Sequence, residues 1–451
     1  MPPSQMEKRK RKKGASSALL AHIRPLVLLS LASQSRSRTC NIVEDFGAAG
    51  DGLTFDDAPL SLALAACQSI TFPGPGQYLL SPFNISSNQE LVLEAESVLL
   101  AATSIILVWP LVMSYPSYEP GIPTILNRPA PFIGAPNATN VIIRGTGTID
   151  GQGSAWWNWD PNEHNGTGLA HGRPRLVEPT YCTNFTMQGV HIMNPPFWAV
   201  HPYACDGVVL EDLTFSAPFD SPNTDGLDPD SCFDVIIRNF TFLEGGDDAV
   251  AIKSGRDEWG RAYGRPSRNI FIEGGTMNGG RGVNIGSEMS GGVYNVTVRG
   301  VTFHGSEFAV RVKAGRGRGG LVSGVAVEDV TVHEVTEACL ALDLDYGSDS
   351  PPAGPTAPTT PHVQGVALRS ASGSVLGLAG VLRCLPEAPC VGIAVGPEVN
   401  LTLARRPSEG HPLAAAAGRW VEVPGWACVS AFGAVTGDVA PEPTCLEAEA
   451  L

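Results

Sequence analysis

A unit of two short strands separated by a polar corner recurs seven times between residues 141 and 334. Each unit has a run rich in β-branched residues, a short polar or glycine corner, and a second short run. The units are VIIRGTGTIDG (141–151), FTMQGVHIMN (185–194), VVLEDLTFSA (208–217), VIIRNFTFLE (235–244), IFIEGGTMNG (270–279), VTVRGVTFHG (296–305) and VAVEDVTVHE (325–334). A repeat built only from short strands is typical of a solenoid, in which each coil buries its inner face against its neighbours.

Two other repeat folds fit this pattern less well. Leucine-rich repeats require regularly spaced leucines, which the units lack, and WD-type propeller blades need about 40 residues with their own signatures. The pattern therefore predicts an all-β chain folded as a parallel β-helix. The apolar stretch DDAPLSLALAAC (56–67) predicts a short helix that caps the N-terminal end. The stretch SDSPPAGPTAPTTP (348–361) predicts a loop between two late coils.

The chain divides into a targeting segment, residues 1–39, and one long domain. The segment has the basic run KRKRKK (8–13) followed by the apolar run ALLAHIRPLVLLSLAS (18–33), which is the order found in a secretory signal peptide. The apolar run is short and interrupted, which argues against a membrane span, although an anchor and a basic nuclear-import tail remain alternatives. Because no linker interrupts the rest, we expect residues 41–451 to form a single domain.

Cysteines and glycosylation sequons favour secretion. The ten cysteines include no CxxC pair of metal-binding spacing. Seven Asn-x-Ser/Thr sequons occur, at Asn84, Asn137, Asn165, Asn184, Asn239, Asn295 and Asn400. The predicted disulfides are Cys40–Cys67, Cys384–Cys390 and Cys428–Cys445, whereas Cys182, Cys205 and Cys232 recur at coil spacing and are predicted to be buried free thiols. We therefore expect a secreted glycoprotein.

Charge is unevenly distributed along the chain. The net charge is −15, but residues 251–320 carry eleven Lys and Arg against five acids. A basic strip in an acidic protein indicates an anionic ligand bound at a local site. Nucleic acid is disfavoured as a partner because the remaining surface would repel its phosphates.

Three acids are predicted to meet at one corner of the solenoid. Asp247 and Asp248 lie in EGGDDAVAIKSG (244–255), and Asp225 precedes Asp247 by 22 residues. Neighbouring coils stack about 4.8 Å apart, so Asp225 should lie one rung below the pair. Flanking glycines would leave room for a ligand. Single acids at coil corners are ordinarily solvated, and this interpretation suffices for Asp228, Asp230 and Asp234.

Three clustered carboxylates suit acid–base chemistry. Their mutual repulsion should keep one protonated and leave the others ionised. A proton donor beside ionised bases is what the hydrolysis of a glycosidic bond requires. Arg311 and Lys313 are two residues apart on a strand and share one face, about two coils above the acids. This pair is either a solvated surface feature or a cradle for a substrate carboxylate.

The order of these motifs resembles glycoside hydrolase family 28, the polygalacturonases. The motifs are Asn223-Thr224-Asp225, Gly246-Asp247-Asp248 and Arg311-Val312-Lys313, and the similarity extends over about residues 42–345. Further similar stretches are VEDFGAAGDGLTFDD (43–57), GTIDGQGSAWW (147–157) and PFWAVHPYACDGVVLEDLTFSAPFDSPNTDG (196–226). GSEMSGGV (286–293) resembles the plant and bacterial branch, which favours exo action.

The resemblance implies a right-handed parallel β-helix of the pectin-lyase-like kind that hydrolyses α-1,4-linked galacturonan in pectin with inversion. Asp247 would be the general acid, and Asp225 and Asp248 would hold and deprotonate the attacking water. Substrate binding would fall to Asn223, Arg281, Arg311 and Lys313. We expect a monomer in the extracellular space or cell wall, with no cofactor and no metal ion.

One position departs from the family pattern. The family's Gly-His-Gly motif aligns with Gly280-Arg281-Gly282, so an arginine replaces the usual histidine. A permanent positive charge at Arg281 is expected to lower the pKa of Asp247 and weaken it as an acid, or to bind a substrate carboxylate.

Three functions stay open. The first is a pectin-degrading polygalacturonase, and the second is a pectin-binding β-helix without turnover. The third is another β-helix enzyme, either a pectate lyase or a rhamnogalacturonan hydrolase. A lyase would need a calcium site and a basic proton abstractor, and a rhamnogalacturonan enzyme would have less use for Arg311 and Lys313, so the residues favour the first.

Overall fold

The computed structural model describes residues 38–103, 109–118, 126–157, 172–347, 354–403 and 421–448. From Arg38 onward the described residues belong to one compact unit. Almost all of the expected targeting segment, residues 1–39, and the sequon at Asn165 lie outside the described residues. Within the described ranges, no helix is long and apolar enough to cross a lipid bilayer.

The described residues form three helices and 33 strands. The helices are α1 (Asp57–Ala66), α2 (Ser154–Trp157) and α3 (Asp257–Tyr263). The first strands are β1 (Thr39–Asn41), β2 (Asp51–Phe55), β3 (Ser69–Phe72), β4 (Gly76–Leu80), β5 (Phe83–Asn84), β6 (Glu90–Leu93), β7 (Ser97–Ala101), β8 (Leu111–Met113), β9 (Leu126–Pro129), β10 (Ile133–Pro136), β11 (Thr139–Gly145), β12 (Thr148–Asp150), β13 (Val177–Thr180), β14 (Thr183–Gln188), β15 (His191–Met193), β16 (Asp206–Glu211) and β17 (Thr214–Ser216). The remaining strands are β18 (Phe233–Glu244), β19 (Val250–Ile252), β20 (Ser267–Asn278), β21 (Val283–Gly286), β22 (Val293–His304), β23 (Phe308–Lys313), β24 (Leu321–Val335), β25 (Ala338–Asp343), β26 (His362–Val375), β27 (Leu378–Arg383), β28 (Cys390–Val395), β29 (Val399–Leu403), β30 (Val421–Val423), β31 (Trp426–Val429), β32 (Ala431–Val435) and β33 (Val439–Ala440).

Strands pair in parallel with the strand one coil later, and this confirms the parallel β-helix. One stack runs through β11, β14, β16, β18, β20, β22, β24 and β26. A second stack runs through β19, β21, β23, β25, β27 and β31. The predicted repeat units are the coils of the first stack, and the predicted loop at 348–361 falls between β25 and β26, with residues 348–353 outside the description.

A column of buried apolar side chains explains why the repeats fold this way. Val208, Val235, Ile270, Val296 and Val325 are register partners in five successive coils, and all are buried. Alternate residues on each strand point inward, so each coil covers the apolar face of the one before it. The period of the repeat is therefore the period of the core.

Each end of the solenoid has its own disulfide bond, as predicted. Disulfides join Cys40 to Cys67 and Cys428 to Cys445, and Cys384 is joined to Cys390. Helix α1 buries Leu60 and Ala63 against the core at the N-terminal end, as expected for a cap.

The predicted stack of free thiols is also present. Cys182, Cys205 and Cys232 are buried and unpaired. The backbone amide of Cys182 donates to the Cys205 sulfur at 3.3 Å, and the Cys205 amide donates to the Cys232 sulfur at the same distance.

Corners of the coils have a backbone conformation that favours asparagine. Asn140, Asn184, Asn269 and Asn295 have φ between 56° and 58°, the left-handed region that asparagine tolerates. Their side chains form a ladder, with Asn184 donating to Asn140 at 3.0 Å and Asn295 donating to Asn269 at 2.9 Å. Asn239 occupies a second such corner with φ of 52°.

Candidate active site

The structure brings Asp225, Asp247 and Asp248 together on one face of the β-helix. One carboxylate oxygen from each lies within 4.8 Å of the other two, and the side chains are almost fully buried. Leu227 pairs with Val250 across the coils, and the same offset places Asp225 beside Asp248. The acids are one rung apart, as predicted, but the direct neighbour of Asp225 is Asp248.

Backbone constraints fix the two motifs against each other. The hydroxyl of Thr224 accepts a hydrogen bond from the Gly246 amide at 3.1 Å, and the Gly226 amide donates to the Asp248 carbonyl at 2.9 Å. A Cβ atom at Gly246 would lie 1.8 Å from the carbonyl oxygen of Ser221. Only glycine fits at this close approach, so the chain can turn there and place Asp247 in the cleft lining with Asp248 buried beside it.

Both oxygens of Asp248 are held by other side chains. Asn284 donates to Oδ1 at 2.8 Å and the Lys313 ammonium lies 2.7 Å from Oδ2. Burial opposes the charged form of Lys313, but Asp248, Tyr346 and Asp247 together outweigh it, so the pKa of Lys313 is raised. Lys313 is therefore the counter-ion of a clustered acid.

Arg311 supports the same acid indirectly. Its Nε donates to Asn284 Oδ1 at 2.8 Å, and its guanidinium stacks on the Phe308 ring at 4.2 Å. Asn284 is the register partner of Arg311, one coil earlier. Sequence reasoning missed Asn284, although a fully buried asparagine between Val283 and Ile285 was an available signal.

Asp247 faces Arg281. The guanidinium lies 3.5 Å from Asp247 Oδ1 and 3.8 Å from Glu307, and the Arg281 side chain is 41% exposed. Burial and the neighbouring charge of Asp248 raise the pKa of Asp247, while Arg281 acts in the opposite direction. Arg281 thus acts on this pKa in the predicted direction, but burial and repulsion outweigh it, so the pKa of Asp247 is raised overall.

Asp225 holds its proton even more readily. Burial, followed by repulsion from Asp247 and Asp228, raises the pKa of Asp225 well above its ordinary value, and Lys253 opposes this shift. The cluster as a whole therefore retains a proton where an isolated aspartic acid would lose it.

Lys253 is the main residue that sequence reasoning missed. Its ammonium lies 3.4 Å from Asp225, 3.4 Å from Asp228 and 3.7 Å from Glu288, and its side chain is 3% exposed. The signal was a lysine directly after the apolar strand β19, where a solvated residue is not expected.

Two corner acids are not solvated, contrary to the prediction. Asp228 and Asp230 are fully buried, and Asp230 is approached by Tyr118 and, at 3.4 Å, by His201. Asp234 is exposed, as expected for a turn residue. The acids from Asp225 to Asp230 are therefore buried on the face of the β-helix that carries the cluster, and the residue types alone did not reveal this burial.

A cleft of about 340 Å³ opens over the acids. It is lined by Tyr118, Arg175, Phe197, Trp198, Asn223, Asp225, Asp247, Lys253, Arg256, Arg281, Ser287, Glu288, Lys313 and Tyr346. Arg175 lies over the rings of Phe197 and Trp198 at 5.0 and 4.8 Å, so cationic side chains line the cleft in addition to Arg281. The structure places Arg311 behind this lining, and the Asn223 side chain accepts a hydrogen bond from Arg173 at 2.7 Å.

Acid–base chemistry suits this cluster better than metal binding. Three oxygens this close together could bridge a cation. However, the ammonium groups of Lys253 and Lys313 already lie 3.4 Å from Asp225 and 2.7 Å from Asp248. Positive charge is thus supplied by the chain itself, and the cluster combines acids that readily retain a proton with two ammonium counter-charges.

Known proteins share both the sequence and the fold. The profile of Glycosyl hydrolases family 28 matches residues 123–410. A probable polygalacturonase of Vitis vinifera is 34% identical over 423 residues, which are 90% of this chain and 80% of that protein. An endo-polygalacturonase of Pectobacterium parmentieri is 34% identical over 223 residues, covering 48% of this chain and 53% of that one. The crystal structure of a hyperthermoactive exopolygalacturonase from Thermotoga maritima has a TM-score of 0.64 and 25% identity, covering 82% of this chain and 89% of that chain. Because the family profile spans more than half of its length, this chain belongs to glycosyl hydrolases family 28.

Proposed function

We propose that this chain hydrolyses α-1,4-linked galacturonan, the polygalacturonate of pectin. The observation that carries the proposal is the buried cluster of Asp225, Asp247 and Asp248 in a cleft with cationic walls. Membership of family 28 and the polygalacturonase relatives support it.

In this proposal Asp247 is the general acid. Its pKa is raised by burial and by Asp248, and it lines the cleft, so it can carry a proton to the glycosidic oxygen. Asp225 and Asp248 bind the attacking water. Asn284 and Lys313 fix the orientation of Asp248 and leave acceptor lone pairs for a water molecule.

The held carboxylates favour inversion over a covalent intermediate. Inverting pairs ordinarily stand about 6.5–9.5 Å apart and retaining pairs about 5–5.5 Å apart. The closest oxygens here lie within 4.8 Å, so spacing alone would resemble a retaining pair. Asn284 and Lys313 each contact one oxygen of Asp248, however, and Asp225 faces Lys253, so the chain orients both carboxylates to hold a water molecule, which supports inversion.

Arg281 is the best placed residue for the substrate carboxylate. Its side chain is partly exposed in the cleft, and its ion pairs with Asp247 and Glu307 are 3.5 and 3.8 Å long, loose enough to be exchanged for a substrate group. Lys313 shares its charge with Asp248, and Arg311 acts through Asn284. Arg175 offers a second cation near Asn223 for the carboxylate of a neighbouring sugar.

The test is incubation of the purified protein with polygalacturonate at acidic pH. Reducing ends should appear without the ultraviolet absorbance of unsaturated products, and proton NMR of early products should show the inverted anomer. Exo action, which the GSEMSGGV segment favours, predicts little loss of viscosity at low bond cleavage. Absence of reducing ends together with retained binding would establish the non-catalytic alternative, which the arginine at 281 favours.

We also propose that the protein is a secreted monomer. Three disulfides are stable in oxidising compartments and are rare in the cytosol. N-terminal sequencing of protein recovered from the medium should begin near residue 40, and light scattering should give the mass of a single chain.

A further inference from the structure

We propose that Lys253 is a positioning residue whose ammonium favours the ionised form of the water-binding acid Asp225 against burial and the neighbouring acids, and that Asp228 competes with Asp225 for this charge. The inference rests on the proposed hydrolytic function and identifies how that site sets the charge of its base.

Lys253 is enclosed by acids and an aromatic ring. Its ammonium lies 3.4 Å from both Asp225 and Asp228, 3.7 Å from Glu288, and 4.1 Å from the centre of the Trp198 ring. The carbonyl of Lys253 accepts the Ser231 amide at 3.0 Å, which fixes the backbone. A buried ammonium with three acids around it is held in place by them and cannot turn toward solvent.

Asp228 depends on Lys253 as its nearest counter-charge. It is fully buried, and neither of its carboxylate oxygens has a hydrogen-bond partner among the described residues. Burial, opposed by Lys253, raises the pKa of Asp228 to about 6. One lysine is therefore shared between a carboxylate that lines the cleft and one that does not.

Further charged groups face Asp225, Asp228 and Lys253. Asp225 is faced by Asp247, Asp248, Asp228 and Lys253. Lys253 is faced in addition by Glu288, which also interacts with Arg318 and Lys313, and Asp228 interacts with His201 and Asp248. Lys313 is 2.7 Å from Asp248 and Arg281 is 3.5 Å from Asp247. Each of the other two clustered acids thus has its own cation, and Lys253 is the cation nearest to Asp225.

Two substitutions should move the charge of Asp225 in opposite directions. Lys253→Met removes the nearest cation, so the acidic limb of the kcat/KM profile should move to higher pH by about 1–3 units. Asp228→Asn removes the competing carboxylate and leaves Lys253 to Asp225, so the same limb should move to lower pH. Lys253→Arg keeps the charge and should restore most of the wild-type profile. In Lys253→Met, kcat should fall more than KM rises.

A readout that does not depend on turnover separates this inference from the proposed function. Carboxyl-carbon NMR of ¹³C-aspartate-labelled protein, with Asp225→Asn to assign the signal, gives the titration midpoint of Asp225 directly. The midpoint should rise in Lys253→Met and fall in Asp228→Asn even if the wild-type protein releases no sugar. Midpoints that stay fixed, or that move in the same direction in both variants, would overturn the inference. Circular dichroism melts of each variant show whether folding is retained, and Asp228→Asn tests the proposal by itself if Lys253→Met does not fold.

Discussion

Two groups of charged residues on this β-helix are stacked by the same parallel register but differ in the order of their charges. On the exposed sheet, Glu211, Arg238, Glu273, Arg299, Glu328 and Arg369 are register partners in six successive coils. Their signs alternate from coil to coil, and Arg238 pairs with Glu211, Arg299 with Glu273 and Arg369 with Glu328. In the cleft, acids stack on acids, and the cations between them are buried.

The difference shows where this fold places charge for stability and where it places charge for chemistry. Alternating exposed charges neutralise each other and are screened by solvent, so each contributes little and each can be replaced. Four buried acids, Asp225, Asp228, Asp247 and Asp248, lie close to the cations Lys253, Lys313 and Arg281. Burial and the charge of Asp248 raise the pKa of Asp247, as its proposed role of proton donor requires.

The largest effect should come from Asp247→Asn in the cleft. The substitution removes the proton donor, so reducing-end release from polygalacturonate should fall by about 10²–10⁴-fold. Binding of oligogalacturonate, measured by calorimetry, should persist. Glu273→Gln in the exposed stack is the matched control and should leave turnover unchanged. Equal losses in the two variants would mean that the two stacks do not differ in role.

A backbone change at Gly246 should be the next largest. Gly246→Ala places a Cβ atom against the Ser221 carbonyl, and the required displacement should cost about 1–3 kcal/mol of unfolding free energy along with activity. Gly354→Ala, where a Cβ would meet nothing within 4 Å, is the control. Chemical denaturation of both variants measures the difference, and equal stability would show that the close approach at Gly246 is readily relieved.

Sequence reasoning predicted the fold well because the core repeats with the chain. A buried position recurs once per coil, so the solenoid, the stacked free thiols and the meeting of Asp225, Asp247 and Asp248 could all be derived from spacing. Spacing does not reveal which way a polar side chain points, however. Asp228 looked like a solvated corner and is buried, and Lys253 belongs to the site although no motif marked it.

Three of the sequons have a second explanation in the backbone, and glycosylation stays a prediction. Asn184, Asn239 and Asn295 each lie at a corner with positive φ, where asparagine is favoured by the backbone itself. In each case the threonine two residues later lies in the same strand as the asparagine. These three sequons therefore follow from coil geometry and add little to the argument for glycosylation.

Arg281 is intermediate between the exposed charged stack and the buried acid cluster, because its side chain is partly exposed but faces the buried acid Asp247. The alkaline limb of the pH–rate profile reports loss of the Asp247 proton, and the positive charge of Arg281 lowers the pKa of that acid. Arg281→His leaves a neutral ring above the pKa of histidine, so the limb should move to higher pH. Because Arg281 is 41% exposed, the shift should be less than about one pH unit. Arg281→Lys keeps the charge and should leave the limb in place, and an equal shift in both variants would assign the effect to geometry.

The smallest effect should be found in the exposed stack. Arg369 is the last residue of that stack, lies 2.8 Å from Glu328 and is 47% exposed. Arg369→Glu replaces an attraction by a repulsion, which should lower the unfolding free energy by no more than about 1 kcal/mol, and the difference should fade in concentrated salt. Lys313→Met in the cleft should have the opposite salt dependence. It leaves Asp248 buried without its cation, so the loss of unfolding free energy should not fade in concentrated salt. Urea denaturation of both variants at low and high salt measures the contrast. A large, salt-independent loss in Arg369→Glu would mean that the exposed stack is as closely packed as the cleft, and that alternation of charge along the coils is a requirement of the fold.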